Sequence, residues 1–382
     1  MTSKASFVII SIQGWTDMWV SKHWIANLLT NYGDVYFVEP FRGALLRGRG
    51  GKLQDFLFGP RIRQEKQVNV VTMSSLPGHY RGFGWYRSLS RLVMRRQMEK
   101  LDNMLIGTDV YVLTFDYRSE PLIRRMKKLK KTLYYAIDVI PPKKNDPWWP
   151  EKSLVHFVDG ILTTSERHRR RLIDAFGRDD ITLVPHGVDF SAVCAINKDA
   201  RPDDLPQGEH VIGYTGTIHD RYVDFDVVRE VALARPNWDF VFIGPVKRNA
   251  LSIGASERVE ILRALPNTHF LGQKSYQELP GYIAHFDACI MPYNPSVDNE
   301  PFKTLNYLAQ GKPIVATDVP GISEYRSLLY TFVGAAEMIA SLENALAESK
   351  SDEIRMARVK YAQERDFRKI AELILAEFGM KS

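Results

Sequence analysis

Near-continuous runs of apolar, often β-branched residues alternate with amphipathic stretches along most of the chain. Runs of that kind predict strands buried on both faces, and the alternation with helices predicts parallel sheets. In the first half the predicted strands are residues 7–12, 35–38, 70–73, 110–114, 132–135, 160–163 and 182–184. Helical periodicity fills gaps between them, at residues 22–30, 120–129 and 166–176. The pattern restarts with strands at 210–214, 239–243, 269–271, 288–291, 314–316 and 330–332, and helices at 226–233, 276–284 and 302–309. Between the halves, residues 197–208 are polar and carry Pro202 and Pro206, which reads as a linker. The expected fold class is therefore α/β, with two Rossmann-like doubly wound domains at 1–196 and 209–350. Ligands of such sheets bind beyond the carboxyl ends of the strands. Residues 351–382 read as one terminal helix with Ile354, Val359, Phe367, Ile370, Leu373, Ile374 and Phe378 as its apolar positions.

Length agrees with two cores, because 382 residues exceed a typical single domain. The apolar run at 7–12 is far too short to span a membrane. With only Cys194 and Cys289, neither a disulfide framework nor a thiolate metal site is expected, and a cytoplasmic setting follows. The net charge of +6 is unevenly spread. Residues 1–190 hold 30 Lys+Arg against 19 Asp+Glu, a net of +11, and the remainder carries −5. One half is thus expected to meet something anionic.

The segment from Asp298 to Pro313 concentrates the chemistry. Pro301 suits a helix start, which predicts a helix opening near Phe302 with its first amides free and Lys303 beside them. Free amides at the positive end of a dipole, aided by an ammonium, receive a diphosphate; an ordinary capped helix with a solvated lysine has the same spacing. Asn306, one turn on, is placed to reach a ribose hydroxyl. Gly14 and Gly216 sit where each domain's first strand turns into a helix, and glycine there permits close backbone approach to a ligand. Asp138 follows a strand and precedes Pro141 and Pro142, either to touch a sugar or to cap the helix near Trp148. His186, between Pro185 and Gly187, is a sugar ligand or a brace for the crossover. Trp15, Asp17 and His23 complete the first-domain candidates. Asp224 and Asp226 match an Asp-x-Asp metal motif, but they precede a helical stretch and read as its cap, so no metal is expected. Neither domain carries a three-glycine dinucleotide fingerprint, which argues against a nicotinamide enzyme.

Arg47, Arg49, Lys52, Arg61 and Arg63 surround Phe56, Leu57 and Phe58. Farther on, Tyr80, Phe83, Trp85 and Tyr86 stand among Arg81, Arg87, Arg91, Arg95 and Arg96. Cations mixed with aromatics suit an anionic membrane surface. No nucleic-acid motif accompanies them.

In order along the chain, several segments resemble retaining GT-B glycosyltransferases of family four. Glu39-Pro40, Tyr135-Ala-Ile-Asp138, Asp159–Ser165 and Pro185-His-Gly-Val-Asp189 resemble the first domain of that group. Gly213-Tyr-Thr-Gly-Thr217, Phe242-Ile-Gly-Pro245, Leu265–Gly272, Asp287–Tyr293 and Asp298–Pro313 resemble its donor-binding domain. The resemblance implies a cleft between two domains and a C-terminal helix packed back on the first. It implies donor contacts from Gly216, Thr217, Gly272, Tyr293, Asp298, Phe302, Thr304 and Asn306, with Lys303, Asp138 and His186 at the reacting centre. Gly14, Trp15, Asp17 and His23 fall on the acceptor side. Two acidic residues eight apart flank the donor in that family; here they are Asp298 and Asn306, so the second has lost its charge.

The expected function is transfer of a sugar from a nucleotide diphosphate to an acceptor hydroxyl, with retention, no cofactor and no metal. A lipid-linked or glycan acceptor at the inner face of the cell membrane would serve cell-surface polysaccharide synthesis. A nucleotide-sugar epimerase of the same fold, or a non-catalytic relative that only binds, is the alternative.

Overall fold

A computed structural model describes residues 5–16, 19–40, 42–43, 59–75, 84–105, 109–137, 150–196, 200–220, 222–246, 255–295, 297, 301–348 and 352–380. The chain divides into two units, Met1–Pro185 with Phe367–Ser382, and His186–Asp366.

The first unit is built on an eight-stranded sheet. From one edge to the other its strands are Ile181–Leu183, Gly160–Thr163, Leu129–Ala136, Val110–Thr114, Ala5–Ile10, Gly33–Val38, Val68–Thr72 and Arg61–Glu65. All pairs are parallel except the last, where Arg61–Glu65 runs antiparallel to Val68–Thr72. Adjacent side chains of one strand serve opposite cores: Tyr134 packs with Val8, Val112 and Met98, while Tyr135 packs with Phe7, Phe115 and Leu162. That two-sided burial explains why the strands read as continuous apolar runs. The edge strand Arg61–Glu65 escapes the hydrophobic pattern because it is largely solvent-facing and charged, which also discourages edge-to-edge pairing.

The second unit has six parallel strands in the order Thr268–Gly272, Trp238–Ile243, His210–Thr215, Ala288–Met291, Ile314–Thr317 and Tyr330–Phe332. Its first strand in sequence, His210–Thr215, lies at the centre of the sheet, between Trp238–Ile243 and Ala288–Met291. The order reverses there, so loops following these strands' carboxyl ends gather at one place.

Three elements depart from the pattern read in the sequence. The helix expected over 120–129 is only Glu120–Ile123, and the chain re-enters the sheet at Leu129. The Asp102 carboxylate accepts from the amides of Lys127 and Lys128, at 2.9 and 3.4 Å, and so holds the backbone out of a helix. The terminal helix is two helices, Asp352–Gln363 in the second unit and Phe367–Glu377 in the first. The break falls where the Val188 amide donates to the Arg365 carbonyl at 2.9 Å and Val188 bridges Asp366. Ile370 and Ile374 of the last helix and Phe378 just after it join the first unit's core, and Phe367 stacks on Trp24 at 5.6 Å. Third, the Arg- and aromatic-rich stretch contains the 21-residue helix Gly84–Met104.

Candidate functional site

In the second unit, the strand His210–Thr215 ends in Gly216, whose φ of +129° few residues other than glycine adopt. A Cβ on Gly216 would stand 3.0 Å from the Lys303 amine nitrogen. The neighbouring strand ends in Gly244, at φ +145°, where a Cβ would meet the Gly216 carbonyl oxygen at 2.0 Å. Two stacked glycine turns therefore make the room into which Lys303 reaches. Gly272, at φ +71°, supports the stack by accepting the Gly244 amide at 2.7 Å.

Part of Lys303 stays exposed, but its amine lies deep against aromatic rings. Nζ sits 3.5 Å from the centroid of Tyr214 and 5.2 Å from that of Tyr293. Burial pushes the amine's pKa well below the ordinary lysine range, and no carboxylate among the described residues offsets that effect. The Tyr214 hydroxyl donates to the Thr217 carbonyl at 3.0 Å, which fixes the ring under the amine. The Tyr293 hydroxyl is buried with no hydrogen-bond partner among the described residues.

The helix that carries Lys303 is Thr304–Ala309, two residues later than the spacing predicts. Its first amides are not free: those of Thr304, Leu305 and Asn306 donate to the carbonyls of Pro301, Phe302 and Lys303 at 3.1, 3.3 and 3.1 Å. A tight turn consumes the helix-tip donors, so the positive character of the site rests on the lysine. Thr304 turns inward, with its hydroxyl 3.2 Å from both the Met291 sulfur and the Tyr325 hydroxyl, and is a core residue. Asn306 is buried with its Oδ1 3.5 Å from the Tyr276 hydroxyl. His186 is buried edge-on to the Phe302 ring at 6.1 Å. The rest of the Gly-Lys-Pro run is structural: Lys312 donates to the carbonyls of Ala284 and Phe286 at 2.6 and 2.7 Å.

The structure thus brings Gly216, Thr217, Gly272, Tyr293 and Lys303 to one set of strand ends, with Phe302 and Asn306 on the segment that carries the lysine. Asp298, Asp138 and Asp17 lie outside the described residues. Asp224 caps the helix Phe225–Ala234, accepting from the amides of Asp226 and Val227 at 3.2 Å each. Among the described residues no group of three or more His, Cys, Asp or Glu is placed to hold a metal ion. Tyr214, Gly244 and Tyr276 also contribute to the site; they lie in segments that carry the resemblance but were not among the expected site residues.

At the strand ends of the first unit, Gly14, Trp15 and His23 form one fastened loop. The Glu39 carboxylate accepts from the Trp15 amide at 2.9 Å, from Thr72 at 2.7 Å and from both Arg63 terminal nitrogens at 3.1 and 3.2 Å. Burial works upward on this carboxyl, but the hydrogen bonds from Arg63, Thr72 and Trp15 and the Arg63 charge outweigh it and hold the pKa below its ordinary value. The Val20 amide donates to His23 Nδ1 at 3.1 Å, which assigns the proton to Nε2, 3.1 Å from the Gly14 carbonyl. Burial lowers the His23 pKa, so the ring is neutral near pH 7 and ties the loop together.

Part of the unit that holds Lys303 is similar to known proteins. Residues 209–348 match the family Glycosyl transferases group 1. This group 1 region contains the glycine turns, the two tyrosines and Lys303. Over 242 residues the chain is 31% identical to a protein of Bacillus subtilis (strain 168) named putative teichuronic acid biosynthesis glycosyltransferase TuaH, covering 60% of this chain and 59% of that relative. Solved structures with the same architecture include trehalose-6-phosphate from E. coli bound with UDP-2-fluoro glucose (TM-score 0.72, 13% identity, 98% of each chain). Another is Anabaena HepE in complex with UDP and glucose (TM-score 0.68, 12% identity, 98% of this chain and 99% of that one). The fold around the group 1 region is GT-B.

Proposed function

We propose that the protein is a glycosyltransferase that moves a sugar from a nucleoside diphosphate to an acceptor hydroxyl, with retention, in synthesis of a cell-surface polysaccharide or glycolipid. The observation that carries this reading is the Lys303 amine, held against Tyr214 and Tyr293 with no paired carboxylate among the described residues. A buried cation in that state has its best partner in an anion that enters from outside, and a diphosphate at these strand ends is such an anion. The name of the TuaH relative supports the polysaccharide setting.

In this reading Lys303 stabilises the charge that develops on the departing diphosphate, a contribution best made by a preorganised group in a dry site. Gly216 and Gly244 leave the room that admits the Lys303 amine, and the Asn306–Tyr276 pair meets a hydroxyl of the donor. The donor phosphate takes the acceptor proton, so no side-chain base is required, and replacing Asp138 impairs turnover without abolishing it. A screen of nucleotide sugars by thermal stabilisation tests donor binding, because a ligand held only by the folded state raises its melting temperature. An inverted anomeric product would defeat the retention claim.

The first unit is proposed to meet an anionic membrane surface at the inner face of the membrane, where a lipid-linked or glycan acceptor is presented. On the helix Gly84–Met104, Met94, Met98 and Leu101 face the core, while Trp85 is 71% exposed and Leu89 and Leu92 stand on the same outer face. Arg91 and Arg96 lie exposed beside them. Among the described residues no helix is long and apolar enough to cross a membrane. Vesicle co-sedimentation is expected to rise with anionic lipid and fall with salt; indifference to both refutes this contact.

A further inference from the structure

Asn306 is buried and stands one turn beyond Lys303. Its own amide donates to the Lys303 carbonyl at 3.1 Å, and Lys303 already has helical dihedral angles. Residues three apart share a helix face, about 4.5 Å from each other along the axis. That step leads from the ammonium that meets a diphosphate to the sugar of the attached nucleoside.

The neighbour of Asn306 decides what it offers there. Tyr276, in the loop after the strand Thr268–Gly272, donates its hydroxyl proton to Asn306 Oδ1 at 3.5 Å. Burial raises the pKa of this phenol, so the proton stays on oxygen near neutral pH, and a backbone bond from Asp189 reaches the same hydroxyl. A donor on that side leaves the hydroxyl proton to Asn306, which turns Oδ1 toward Tyr276 and the amide nitrogen away from it. The Tyr276–Asn306 bond is long, so it yields to a ligand hydroxyl that arrives and persists when none does. A carboxylate at the same place would behave differently: a nucleotide lacking a hydroxyl would leave a buried charge short of a donor and would bind about tenfold or more weakly.

We propose that Asn306, with Tyr276 as its positioning residue, makes the nucleoside end of the site tolerant of a missing ribose hydroxyl, so that the protein takes 2′-deoxyribonucleoside diphosphate sugars as well as ribonucleoside ones. This rests on the donor reading above and names the class of nucleotide it admits. An entering hydroxyl exchanges one neutral hydrogen bond for another. Its absence strands no buried group, and stranded groups are what let a polar site reject an analogue.

Calorimetric titration tests this with uridine, guanosine and adenosine diphosphates, each beside its 2′-deoxy and 3′-deoxy counterparts. For whichever base binds, the wild type is expected to hold the ribonucleotide and both deoxy forms within about fivefold of one another. Tyr276→Phe removes the internal donor and leaves Asn306 Oδ1 to the ligand, so the penalty for at least one deoxy form should rise to about tenfold or more. Asn306→Asp introduces a charge in nearly the same shape; it should act in the same direction and serves if Tyr276→Phe fails to fold. Residues that only support the fold would lower every affinity together and leave these ratios unchanged. A wild-type penalty larger than expected, or a folded variant with the wild-type ratios, overturns the proposal. If none of the nucleotides binds, the donor reading itself fails and takes the proposal with it.

Discussion

Replacing Lys303 by methionine should weaken donor binding and stabilise the free protein at once. The methionine chain has similar length and sits well against aromatic rings, so the volume between Tyr214 and Tyr293 stays filled. What disappears is a buried cation. Its attraction to the rings contributes about 2 kcal/mol, while burying an unpaired ammonium costs several kcal/mol after relaxation. The balance predicts that Lys303→Met gains about 1–2 kcal/mol, seen as a melting temperature higher by about 2–8 °C. Against a nucleoside diphosphate the same change removes charge-assisted hydrogen bonds of about 1.5–3 kcal/mol each, so affinity should fall by about 10- to 100-fold. The stability gain should also shrink at alkaline pH. With its folded pKa below the unfolded value, Lys303 loses its proton first in the folded state, so the wild type recovers stability as pH climbs from the lowered value toward 10.5. Thermal denaturation of both proteins from neutral to alkaline pH, with and without nucleotide, reads all three effects. A variant that melts lower than the wild type and binds nucleotide equally well would refute the reasoning.

Other positions give sharper structural tests. Gly216→Ala forces a side chain into φ +129° and toward the lysine amine; about 1–3 kcal/mol of stability and at least tenfold in donor affinity should be lost, measured by denaturation and calorimetry. Gly244→Ala should be worse, because its Cβ would meet backbone at 2.0 Å, and poor recovery of folded protein is the expected readout. Glu39→Gln should cost about 1–3 kcal/mol, since it weakens the bonds from Arg63, Thr72 and the Trp15 amide; as its folded pKa is lowered, the difference from wild type should vanish as pH falls through that value. Arg358→Met should destabilise the second unit by about 3–5 kcal/mol, because it leaves Glu348 without the guanidinium that grips both its oxygens at 2.7 and 2.9 Å.

The alternation of strands and helices, and with it the two doubly wound units, was legible in the sequence because these strands are buried on both faces. The edge strand Arg61–Glu65 was not, since an exposed charged strand has no hydrophobic signature. The break at Glu364–Asp366 depends on pairing with Val188, some 180 positions away, and no local pattern encodes it. In the site, Lys303 and Gly216 could be named from spacing and resemblance. Tyr214 lies in the Gly213–Thr217 segment that carries the resemblance, but its place beneath the lysine depends on what packs over it and no local pattern encodes that. Thr304 followed the motif yet faces the core, because the helix begins two residues later than Pro301 suggested and rotates the hydroxyl toward Tyr325. His23 stood among the acceptor-side candidates; its two ring nitrogens are bonded to Val20 and Gly14, and it ties the loop together.

The central claim is that the Lys303 site handles a nucleoside diphosphate during sugar transfer. Its most direct test is release of nucleoside diphosphate from whichever nucleotide sugar stabilises the protein, followed in the wild type and in Lys303→Met. Measurable release is expected from the wild type, with a loss of at least two orders of magnitude in the variant. Equal rates in the two proteins would contradict it.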